Sequence, residues 1–172
     1  MNKIFIAATS QVIEADLKSA RLGTRFGRLD LSSQLALLAV ESLGVDFEKI
    51  SRERVAICLA ANAGSLSTDF DFWQGRDAVG GPSPTLFAYT LPSAAIGEIA
   101  IRHRLTGPNL CFVGDDKMLL PEATDLIRRG EADSCVCVHC DVVNAGIEKM
   151  VHAASAARAR AFFLTRGDNS KE

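Results

Sequence analysis

The chain has 172 residues, 48% of them apolar, and its 19 basic and 21 acidic residues give a net charge of −2. That length suits a single domain that buries about 70% of its unfolded surface. The balanced charge, without a basic stripe, argues against a nucleic-acid partner. The apolar runs, such as residues 35–40, are too short for a membrane-spanning helix. Near the N-terminus, the apolar run after Lys3 is five residues, short of the ~7–15 of a signal peptide, and reads as a strand. Five cysteines without disulfide spacing read as reduced thiols of a cytosolic protein.

Residues 3–8 form a short buried strand, and residues 11–27 a loop with a helical turn. Residues 31–43 form a helix, with Asp30 or Ser32 to cap it and Gly44 to stop it. Its middle is apolar on all sides, which places it between layers. A second strand covers 54–61 and a short helix 68–75, capped by Ser67 or Thr68. The glycines and prolines of 80–84 make a turn. A helix over 93–105 ends at Gly107-Pro108, and a third strand covers 109–113. A helix over 118–129 stops at Gly130; fourth and fifth strands cover 134–143 and 158–165. The domain is 1–166, and 167–172 is a polar tail. Strands that alternate with helices and are apolar on both faces predict an α/β fold with a mostly parallel, doubly covered sheet. The short link between the last two strands predicts that they pair antiparallel.

Four segments occur in a telling order: Phe26-Gly27-Arg28-Leu29-Asp30-Leu31-Ser32-Ser33-Gln34, Asn62-Ala63-Gly64-Ser65-Leu66, Ser83-Pro84 followed by Gly107-Pro108, and Ile127-Arg128-Arg129-Gly130-Glu131-Ala132-Asp133. Together they resemble the N-terminal half of β-ketoacyl-acyl-carrier-protein synthases, over nearly the whole chain. The resemblance implies half of a thiolase-like fold: a mixed five-stranded sheet in the order 3-2-1-4-5, with helices on both faces. It implies a nucleophilic cysteine at the start of the helix over 118–129, activated by that helix's dipole and by histidines of a second half.

The departures from the family matter as much. Counting from Gly107-Pro108 puts the nucleophile at Asp116, and counting back from Gly130 puts it at Val113. The window Val113, Gly114, Asp115, Asp116 contains neither Cys nor Ser. Pro121 fits a helix only in its first turn, so this helix is expected to start late. His139-Cys140 stands where the family has two glycines.

Cys111 is the nearest thiol, but inside an apolar strand it reads as a small core hydrophobe. Asp115 and Asp116 read as helix caps rather than as mimics of an acyl group. Cys135, Cys137 and His139 share one strand face, with Cys140 on the other; ligands at alternate strand positions run parallel rather than converge, so no metal is expected. His103 reads as a solvated helix end. His152 lies in a loop without a carboxylate partner. Trp73, Phe70 and Phe72 read as packing. Phe87, Tyr89 and Leu91 are the candidates to line any surviving acyl tunnel, with plain packing as the alternative.

The resemblance thus implies a non-catalytic ketosynthase-like subunit in fatty-acid or polyketide-type synthesis. Its partner would be a second copy or a ketosynthase-like chain, with an acyl carrier protein as a further partner and no cofactor. The alternative is one piece of a split condensing enzyme, with Cys111 as an unusual nucleophile and histidines from another chain. The helix over 118–129 looks too apolar for one face, which predicts that the chain is not a monomer.

Overall fold

The structure, a computed structural model, describes residues 3–77 and 79–167. The polar tail, apart from Gly167, lies outside the described residues. Five strands form one mixed sheet: β1 (Ile4–Ile13), β2 (Val55–Ala61), β3 (Asn109–Val113), β4 (Ser134–Val143) and β5 (Ala156–Arg166), in the order β1-β5-β4-β2-β3. The helices are α1 (Leu31–Glu41), α2 (Leu66–Gln74), α3 (Pro84–Phe87), α4 (Ala94–His103), α5 (Leu119–Arg128) and α6 (Glu148–Val151). β2, β3 and β4 pair in parallel, and β5 runs against β4 and β1. The antiparallel pairing of the fourth and fifth strands is as expected.

The fold class, a mixed five-stranded α/β sheet, matches the sequence reading, but the position of β1 corrects it. The order 3-2-1-4-5 would put β1 between β2 and β4. Instead β2 and β4 are direct neighbours, and β1 forms the far edge beside β5. Nor is β1 a short buried strand. It runs on to Ile13, is bulged between Ile6 and Ala8, and exposes Phe5, Ile6 and Ile13. Thr9, Ser10 and Gln11 in its second half suit an edge that meets water on one side.

β2 and β4 are buried along their whole length, and alternate residues feed two cores. Val55, Ile57, Leu59, Val136 and Val138 pack with α1 and α4. Ala56, Cys58, Ala60, Cys135 and Cys137 pack with Leu119, Ala123, Leu126 and Ile127 of α5. Asp30 caps α1 by accepting the Ser33 N–H at 3.0 Å, and Gly44 follows at φ +66°. As expected, α1 is buried nearly all round; the cover comes from this chain, through α4 and through Leu17, Ala20 and Leu22 of the preceding loop.

The reading of α5 as too apolar for one face does not hold. Leu119, Ala123, Leu126 and Ile127 all face the sheet, whereas Pro121, Asp125, Arg128 and Arg129 face water. Arg129 pairs with Asp125 at 3.0 Å and Glu131 at 2.9 Å on that outer side. Met118 and Leu120 are its exposed apolar residues. A helix with this stripe is complete when one side is covered, so α5 gives no reason to expect a second layer.

Gly107 shows why its glycine is needed. A Cβ there would lie 2.3 Å from the Val55 carbonyl oxygen. The close approach lets Pro108 O accept the Ile57 N–H at 2.9 Å and start the β2–β3 ladder. Two side chains depart from their sequence readings. His103 is not a solvated end: its side chain is 13% exposed and its ring lies 4.7 Å from that of Phe47. Trp73 is not packed in a core but is exposed, with the Arg76 guanidinium over its ring at 4.3 Å.

Candidate functional site

β3 runs straight into the turn that precedes α5. Gly114, at φ +148°, donates its N–H to Ala61 O at 3.0 Å and ties the ends of β3 and β2 together. The segment Asp116–Met118 makes one 3₁₀ turn, and α5 begins at Leu119 with Pro121 in its first turn, where its missing N–H costs nothing. Asp115 caps the 3₁₀ turn by accepting the Lys117 N–H at 3.1 Å, and its carboxylate also meets the Lys117 ammonium at 2.8 Å. That ammonium holds the Asp115 carboxyl below its ordinary range. Asp116 does not cap; it forms an ion pair with Arg160 of β5. Both carboxylates are therefore engaged within the chain, and Val113 and Gly114 bring no nucleophile.

Cys111 corrects its sequence reading in one respect: it is exposed, not a core residue. Leu110 and Phe112 pack on the core beside α5, so the alternate residues Cys111 and Val113 project from the opposite face. The sheet thus separates the Cys111 thiol from the start of α5. Desolvation by its neighbours raises the pKa of that thiol.

A polar group closes the upper end of the α5-facing side. Cys135, Cys137, His139 and Asp141 alternate along that face of β4, with Cys140 on the other, as the sequence implied. Cys137 already reaches the carbonyl of Leu119, the first residue of α5, at 3.8 Å. His139 and Asp141 therefore lie beyond the helix end, where apolar cover stops. Asn62, just past β2, donates its side-chain amide to Asp141 Oδ1 at 2.9 Å. His139 Nε2 is 3.6 Å from the same oxygen, and Arg158 Nη2 is 3.6 Å from Asp141 Oδ2. His139 and Asp141 are both buried. Register explains the grouping: Asp141 lies opposite Arg158 and His139 opposite Arg160.

Sequence reasoning placed His139 on this face but missed Asn62, Asp141, Arg158 and Arg160. The alternation that gave Cys135, Cys137 and His139 continues to Asp141 and was the available signal. Among the described residues, no cluster of His, Cys, Asp and Glu converges to hold a metal ion. Phe87, Tyr89 and Leu91 are not brought together around a tunnel. Phe87 and Leu91 are 62% and 63% exposed, and Phe87 stacks on Phe72 at 5.4 Å. Tyr89 is half-buried against the α1-side core and donates its hydroxyl to Glu98 at 3.1 Å. No helix among the described residues is long and apolar enough to cross a membrane.

No protein-family model matches the sequence, nor does any curated protein. Solved structures do match. The ishigamide ketosynthase/chain length factor aligns with TM-score 0.78 and 19% identity, over 98% of this chain and 63% of that one. The ketosynthase (ApeO) in complex with its chain length factor (ApeC), from Xenorhabdus doucetiae, aligns with TM-score 0.71 and 16% identity, over 98% of this chain and 81% of that one. A type II polyketide acyl-carrier protein in complex with its ketosynthase (AntDE:AntF) aligns with TM-score 0.76 and 13% identity, over 96% and 63%. The chain thus spans less than two thirds of the first of these. What it shares with them is the thiolase-like fold of ketosynthases and chain length factors, with helices on both faces of the mixed sheet.

Proposed function

We propose that the chain is a non-catalytic ketosynthase-like subunit that works by pairing with a ketosynthase, in the manner of a chain length factor. One observation carries the reading. At the start of α5, where the fold's enzymes keep their nucleophile, this chain has Asp115 held by Lys117 and Asp116 held by Arg160. Acyl transfer needs an activated nucleophile beside a base, and here carboxylates locked in ion pairs stand in its place. The split-enzyme reading has less support, since Cys111 projects from the other face of the sheet with a raised pKa.

The β3 edge is the surface we assign to the partner. β3 is an outer strand of the sheet and presents Cys111 and Val113 to solvent. Phe87 and Leu91 are exposed as well, and Pro92, next to Leu91, and Val113 both lie against Gly64. An open strand edge flanked by apolar side chains is a pairing surface. In this assembly the exposed Phe87 and Leu91 would border the partner's acyl tunnel, with Tyr89 behind them against the core, and an acyl carrier protein would serve the pair. A second copy of this chain is the other occupant the edge admits.

Light scattering on the chain mixed with a ketosynthase from the same genome tests the pairing. The expected result is one species of summed mass, lost in the Leu91→Asp and Val113→Lys variants. Two separate species, or pairing that survives both substitutions, would overturn the assignment of the surface.

A further inference from the structure

A cavity of about 380 Å³ opens beside Asp141, on the side away from His139. That volume lies in the range of small-molecule sites. Its walls come from the end of β2, the end of β4, the loop after α6 and the start of β5. Ala63, Val143, Val151 and Ala154 make the aliphatic part; Asn62, Asp141, Ser155 and Arg158 make the polar part. We propose that it binds a small aliphatic molecule of zero net charge with an N–H donor and an oxygen acceptor on neighbouring groups, an α-amino acid or a carboxamide.

The polar floor fixes this chemistry. The Asp141 side chain is only 7% exposed. Its Oδ1 is engaged by the Asn62 amide, whereas Oδ2 takes no hydrogen bond among the described residues. The nearest cation to Oδ2, Arg158 Nη2, is 3.6 Å away, beyond a good hydrogen bond. Oδ2 is not enclosed by protein, so this carboxylate oxygen, with its lone pairs free, offers the cavity a strong acceptor for an incoming N–H. Arg158 is 60% exposed at the rim and has donors to spare for a carbonyl or carboxylate oxygen. Donor and acceptor positions thus lie side by side. The two charges offset each other, so a ligand with net charge gains little from the site. The aliphatic walls suit a short branched chain. The site does not depend on the pairing proposed above, and its test reads binding alone.

The test is a titration of the full chain, followed by NMR through the Asn62 side-chain amide, with L-valine and with isobutyramide as probes. Saturable shifts confined to Asn62, Ser155 and their neighbours are expected with at least one probe. Valine alone assigns an amino acid; isobutyramide, alone or with valine, assigns a carboxamide. Asp141→Asn should weaken the binding of valine about tenfold, the loss of one charge-assisted bond. Ala154→Trp, in an exposed loop at the cavity mouth, should abolish binding of either probe without lowering the melting temperature. Absence of saturable binding by both probes, or binding unchanged in Ala154→Trp, would overturn the proposal.

Discussion

Arg160 of β5 grips Asp116 in the turn that leads into α5. The pair links an edge-side strand to the turn before α5. It also places a cation beside a side chain at the mouth of a helix, a setting that lowers the pKa of any thiol put there.

The variant Asp116→Cys should therefore hold an activated thiol. At pH 7 it should react with iodoacetamide about tenfold faster than Cys111 in the parent chain, because Arg160 and the helix start favour the thiolate whereas Cys111 is shifted the other way. Peptide mass spectrometry measures both rates. Equal rates would show that Arg160 does not govern this position.

Thiol accessibility should divide the five cysteines sharply. Cys58, Cys135, Cys137 and Cys140 are buried, and Cys111 is exposed. Burial pushes the Cys140 thiol up to about 12. Cys135 is raised well above its ordinary value by its bonds to the Cys137 and Cys58 thiols and by burial. Ellman's reagent should titrate one thiol in the native protein and five in guanidinium. A second fast thiol in the native protein would contradict the packing around β4.

Gly107→Ala should cost about 3 kcal/mol, the upper part of the range for overpacking. The added Cβ would meet the Val55 carbonyl, and main chain cannot swing aside as a long side chain does. Urea unfolding should show the midpoint falling at constant slope.

Stability should fall in mild acid through His103. Burial lowers its pKa from 6.5, against an opposing pull from Glu41. The folded state therefore holds fewer protons at this site than the unfolded state once the pH drops below 6.5, and stability drops with it. Above 6.5 both states are neutral and the contribution is complete. Urea midpoints at pH 7.5 and 5.5 should differ more for the parent chain than for His103→Gln.

Much of the fold was legible in particular residues. The bounds of β3 and β4 coincide with their sequence readings because a stretch rich in Val, Leu, Phe and Cys, broken in the middle of β4 only by His139 and Asp141, lies between clear breaks, Gly107-Pro108 and Gly114 for one, Gly130 and Asn144 for the other. Gly44 ends the α1 turn as expected. The place of β1 was harder to read, since an apolar run such as residues 4–8 suits an edge or a centre equally. Only the polar Thr9, Ser10 and Gln11 favour the edge. The α5 stripe was misjudged because Leu120, one exposed residue, sits among four buried ones. The Asn62, His139, Asp141 and Arg158 group draws on three strands. Alternation along β4 orients two of its members, and the rest follows from the registers β2–β4 and β4–β5, which no local pattern encodes.

The central claim is that this chain forms no acyl-enzyme, and intact-mass spectrometry tests it most directly. The purified chain, alone and mixed with a ketosynthase from the same genome, would be incubated with an acyl-acyl-carrier protein. The account predicts an unchanged mass for this chain in both cases, with any acyl group found on the added ketosynthase. A stoichiometric acyl adduct on this chain, at Cys111 or at any other residue, would contradict it.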